Sequence, residues 1–153
     1  MTTQGAFPSY SRYVLAGLGS INLVCPDAFV AEVMIVDRSE LLPAPFFDPS
    51  VLGLVHQQGV IVPLISLKQI LLGIKVLIPE KITVVRLSDE VEAIAGAGLV
   101  VDRVISSISS DQYLQMGDKL NPTEYLRLEG LWSYLGNTIW EPQRWHPTIT
   151  GSF

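Results

Sequence analysis

Cysteine occurs once in the 153 residues, as Cys25, so no internal disulfide can form. That suits a reducing compartment, and a cytoplasmic location is the expectation. Histidine occurs twice, as His56 and His146, and neither has a second ligand at metal-binding spacing; no metal or other cofactor is expected. Charge is also scarce, at 16% of residues, and the ten basic side chains are scattered rather than clustered. With a formal net charge of −5 and a pI near 4.9, the chain is a poor match for a nucleic-acid backbone. A membrane span needs about 20 mostly apolar residues with few or no charges. Residues 60–78 come nearest but hold Pro63, Lys68 and Lys75, and a lysine near mid-membrane costs roughly 2.5–3.5 kcal/mol. Membrane insertion is therefore not expected. The start, MTTQGAFPSYSRY, lacks a basic stretch followed by an apolar one, so no secretory signal is read there.

Hydrophobic residues, by contrast, are plentiful: they make up 48% of the chain, and the mean hydropathy is +0.37. One ordinary domain with a large core fits that length and composition. The periodicity is that of β-structure. Residues 13–18 and 21–24 are short apolar runs around Gly19 and Ser20, as in a hairpin. Pro26 and Asp27 open a short helical turn, and residues 33–36 form a strand. Residues 43–50, PAPFFDPS, hold three prolines and are read as a loop. Two strands follow, 51–55 and 60–67, around the turn His56-Gln57-Gln58-Gly59. Pro63 donates no ladder hydrogen bond, which predicts an edge strand or a bulge there. A helical turn over 68–72 stops at Gly73, and strands are expected at 81–87, 99–105, 126–132 and 138–140. Residues 88–98 are read as a charged turn plus another strand, and 106–121 as loop. About ten short strands with frequent turns and little helix describe an all-β sandwich or small barrels.

Candidate chemistry is sparse. Cys25 beside Pro26 reads as packing rather than as a nucleophile, and Gly96-Ala97-Gly98 precedes a strand where a dinucleotide fingerprint needs a helix. Asp102 interrupts the apolar run LVVDRVI, so it points outward beside Arg103 or has a structural partner. A small enzyme using His56, Asp102 and Cys25 is the alternative from another class. No catalytic residue is assigned.

The segment VLGLVHQQGVIVPLISLKQILLG, residues 51–73, resembles the signature of CheW-like coupling proteins: Val51, Gly53, Gly59, Pro63 and Leu67 fall in place. Upstream, AEVMIV resembles the family's Glu-Val segment. Downstream, GLVVDRVISSI resembles its second-half motif, with Gly98 and Asp102 in register. The last forty residues match poorly and contain Trp132, Trp140 and Trp145. The resemblance implies two small SH3-like five-stranded barrels sharing a hydrophobic core. It implies one CheW-like domain over 12–145, with subdomains of about 20–78 and 79–145, strand exchange between them, and flexible termini at 1–11 and 146–153. It further implies a non-catalytic, monomeric adaptor that couples chemoreceptor-type proteins to the regulatory domain of a CheA-type histidine kinase. Chemotaxis, phototaxis or pilus-driven motility (a PilI-like member) would be its setting. By position, the partner-binding residues are Glu32, Val33, Val36, Val51, Leu54, Gln58 and Val62. Gln58 stands where the family has an arginine that can pair with the glutamate matching Glu32. Gln58 lacks that charge and fork, so receptor coupling of the usual kind is not implied. A specialised or competing member, docking without receptor coupling, is the second expectation.

Overall fold

The computed structural model describes residues 11–45, 47–73, 75–91, 94–116 and 125–128. Strands β1 (Arg12–Leu18) and β2 (Ile21–Pro26) form the expected hairpin, and a 3-10 turn at Asp27–Phe29 leads into β3 (Val30–Asp37). After a second 3-10 turn come the hairpin β4 (Val51–Gln57) and β5 (Val60–Ser66), then the short helix α1 (Leu67–Leu72). Ser66 caps α1 by accepting from the Gln69 N–H, and Gly73 ends it with φ of 67°. Strands β6 (Lys81–Leu87), β7 (Gly98–Val101) and β8 (Arg103–Ser109) follow, then helix α2 (Ser110–Met116) and β9 (Tyr125–Arg127). No helix among the described residues is long and apolar enough to cross a membrane.

The strands form two sheets, ordered β8-β1-β2-β9 and β3-β6-β7-β5-β4. Strand alternation sorts their side chains into three apolar layers. Leu23 and Cys25 of β2, Val85 and Leu87 of β6, and Leu99 of β7 meet in a core between the two sheets. On the other face of the five-stranded sheet, Ile82 and Val84 of β6 and Leu64 of β5 line a second core inside its curl. Tyr13, Leu15 and Val24 form a third under α2, where Tyr13 stacks on Tyr113 with ring centroids 4.0 Å apart. Strands such as β6 are apolar on both faces because both faces are covered.

The five-stranded sheet curls shut through its loop. Leu42 N–H donates to Leu54 O at 2.7 Å, and Leu54 N–H donates back to Leu42 O at 2.8 Å. Gly53 permits this approach, since a Cβ there would lie 2.5 Å from the Leu42 carbonyl oxygen.

Four expectations need correction. Strand β5 is interior, between β4 and β7, and its hairpin shifts register at Val51/Gly53 rather than at Pro63. Pro63 is tolerated because Leu54, its neighbour on β4, gives both backbone groups to Leu42. The proline nitrogen therefore faces the β7 side, where pairing begins only at Leu64. Residues 106–109 belong to β8, not to a loop, and 110–116 are helical. The run 99–105 is two strands, because the chain bends at Asp102 and passes from one sheet to the other. Finally, the described part of 88–97 is a series of turns closed by Val91 N–H to Ser88 O and Ala97 N–H to Ile94 O. Its buried residues Val91, Ile94 and Ala97 recur every third position, which is a turn period and not a strand period.

Each sheet draws strands from both sides of position 78/79: β8 joins β1 and β2, while β6 and β7 join β3, β4 and β5. The predicted strand at 138–140, His146 and the three tail tryptophans lie outside the described residues.

Candidate functional site

Strand β3 is an edge strand, paired only with β6 among the described strands. Met34 and Val36 turn toward the inner core. Val33 and Ile35 turn the other way, opposite Val85 and Thr83, and are 46% and 67% exposed. They share their face of the sheet with Val85 of the shared core. Charge at both ends of the strand is paired within the molecule, Glu32 on the face of Met34 and Val36 and Asp37 on that of Val33 and Ile35. Arg86 Nε donates to Glu32 Oε2 at 2.8 Å, and Lys81 donates to Asp37. The Lys81 ammonium pKa is raised, first by that hydrogen bond and then by the Asp37 charge. The result is an apolar strand edge flanked by compensated ion pairs.

A second apolar surface lies on the β4–β5 hairpin. Its two-residue loop is Gln58-Gly59, with φ of 49° and 83°, the pair of positive values that a type I′ turn requires. Gly59 meets that need freely, since nothing lies within 4 Å of a Cβ there. Beyond the turn, Val60 and Ile61 are more than half exposed, with His56 exposed opposite Ile61.

The residues expected to contact partners divide by burial. Glu32, Val33 and Gln58 are exposed, and Leu54 is half-buried against residue 42. Val36 and Val62 have no exposed surface, and Val51 is buried in the shared core. Those three cannot touch a partner in this state; they hold the surface from beneath. Sequence reasoning missed Ile35, Val60 and Ile61, although the alternation along 33–36 held the signal for Ile35. It also missed Arg86, which gives Glu32 the ion pair that Gln58 cannot.

The motif residues have physical roles. Gly98 pairs with Arg86 and Leu64, and a Cβ on it would lie 2.6 Å from Val84 Cγ1. Asp102 accepts from Gly19 N–H at 2.6 Å and from Lys68 Nζ at 3.2 Å, while its own N–H donates to Gly17 O. It thus fastens α1 and the first hairpin to the crossing between sheets. Cys25 is buried in the shared core, Asp102 is engaged by Lys68, and His56 is exposed on the hairpin, so no catalytic set is assembled from the three. Among the described residues, no three His, Cys, Asp or Glu side chains converge as a metal site.

Two curled sheets around a shared core, with a strand crossing between them, define the all-β, SH3-like architecture of CheW-like proteins. Among solved structures, the chain is similar to the scaffolding protein TtCheW from Thermoanaerobacter tengcongensis. The match has a TM-score of 0.52 at 24% identity and covers 69% of this chain and 66% of that one. No protein-family model and no curated protein matches the sequence.

Proposed function

We propose that this chain is a non-catalytic adaptor, with residues 12–145 acting as one domain, that couples chemoreceptor-type proteins to a CheA-type histidine kinase. Chemotaxis, phototaxis or pilus-driven motility is the setting, and the cytoplasm the place. The observation that carries this reading is the β3 edge: Val33 and Ile35 are exposed, and the charges at both ends of the strand are already paired in cis. An exposed apolar surface suits a docking strand or barrel end, and charge already paired beside it costs less to bury than lone charge. The likeness to a scaffolding protein supports a binding role over a catalytic one. Glu32, Val33, Ile35, Leu54 and Gln58 then form the contact set, with Val36, Val51 and Val62 supporting it.

The test is a backbone NMR titration of the labelled chain with the purified regulatory domain of its CheA-type kinase. Saturable shifts on β3 and on Val60 and Ile61 are expected. No shift at high micromolar kinase domain refutes the adaptor role.

A second reading, a competitor that docks on the kinase without coupling receptors, is favoured by Gln58 at the hairpin turn. There the positive-φ residue offers an amide and no guanidinium. Kinase binding without receptor binding, in parallel titrations, would select it.

A further inference from the structure

Three cations of this acidic chain, Lys68, Lys81 and Arg86, each hold a carboxylate. Arg12, at the start of β1, instead holds a serine. Its Nε donates to Ser107 Oγ at 3.0 Å and its Nη2 donates to the Ser107 carbonyl at 3.2 Å. Among the described residues, no carboxylate is bonded to Arg12. Ser107 lies on β8, which among the described strands is an edge paired only with β1, and its side chain is exposed. It stands opposite Val14, so no acidic residue faces it across the ladder. A hydroxyl on an open, extended edge, with a guanidinium already seated on its oxygen, is arranged to receive more negative charge than a hydroxyl carries.

We propose that Ser107 is a phosphorylation site and that Arg12 receives its phosphate. The donor is ATP, acting through a protein serine kinase. Ser107 Oγ bonds to the γ-phosphorus, the bond from that phosphorus to ADP breaks, and the hydroxyl proton passes to the kinase's base. Three acceptor oxygens and nearly two negative charges then stand where Arg12 presents its fork. The modification pins charge on the open edge of β8, which disfavours addition of a further strand there. It also ties β8 more firmly to β1.

The test uses the full chain carrying genetically encoded phosphoserine at position 107, titrated by phosphorus NMR. The phosphate of an unperturbed phosphoserine titrates near pH 6. In the folded chain its midpoint is expected to fall by roughly half a unit, the screened end of the effect of a neighbouring opposite charge. The shift is expected to vanish with Arg12→Gln. Phosphoserine at 106, which stands opposite Leu15 and so on the other face, is the control and is expected to show no shift. A midpoint at 107 equal to that in urea, or a shift that survives Arg12→Gln, overturns the proposal. So does phosphate found by mass spectrometry only on other serines, or on none in any growth phase, of the chain isolated from its host.

Discussion

Replacing Gly53 by alanine tests how the five-stranded sheet closes. The added Cβ would meet Leu41 Cγ at 2.7 Å and Leu42 O at 2.5 Å. The leucine side chain can swing aside, but the carbonyl is fixed by its bond from Leu54 N–H. Relief therefore requires residues 41–42 to retreat from β4 and give up both Leu42–Leu54 hydrogen bonds. Each contributes about 1 kcal/mol net. The φ of 158° at Gly53 adds strain for any other residue, of order 1–2 kcal/mol. The expected loss is about 3–4 kcal/mol. With a urea slope near 2 kcal/mol per molar, the midpoint falls by roughly 1.5–2 M, followed by far-ultraviolet circular dichroism. Gly59→Ala is the matched control: it has positive φ but open space, so about 1 kcal/mol is expected. If the two variants lose equal stability, close approach at Gly53 is not what closes the sheet, and the reasoning fails.

The Glu32–Arg86 pair gives a second prediction. Arg86→Ala should leave Glu32 unpaired on the docking edge and weaken kinase binding several-fold by calorimetry, while Gln58→Arg should strengthen receptor binding. Unchanged affinity in both would remove these residues from the interface. Cys25 is 2% exposed in the shared core, so a thiol reagent should label it only as fast as the protein opens globally. Stoichiometric labelling of the native chain within seconds would contradict that burial. The Lys81 pKa is raised above its ordinary 10.5 by Asp37. The pair's contribution is therefore complete below the unfolded value and lost as pH climbs through the folded one. The Tm difference between wild type and Lys81→Met should stay constant from pH 7 to 9 and fade as pH climbs beyond 10.5. Being exposed, it should also shrink in 1 M salt. A difference that grows with pH would invert the assignment.

Much of this fold is legible in the chain because hairpins and two-sided apolar strands leave strong local signals. β1, β2, β4, β5, β6 and the stop at Gly73 follow from run length and turn residues alone. β8 hides because it is an edge strand, in which only Ile108 is buried, so its serines print no alternation. α2 hides for a related reason: the apolar residues it packs inward are Tyr113 and Met116. The contact surface was half visible. A strand covered on both faces does not announce which face ends at the solvent, so Val36 and Val62 look as available as Val33. Arg86 could not be found at all, because it meets Glu32 across 54 residues of sequence through strand register.

The bend at Asp102 sends one continuous run of chain out of the five-stranded sheet and into the four-stranded one. The path had already gone the opposite way after β2, so the two sheets are threaded through each other in chain order. Neither can be completed until strands from beyond position 80 arrive. Loop-closure entropy is spent before the long-range ladder bonds form, which favours slow folding. A nascent chain halted at position 80 would expose β3 without β6 and β1 without β8. Those half-built edges are the state most open to aggregation during synthesis.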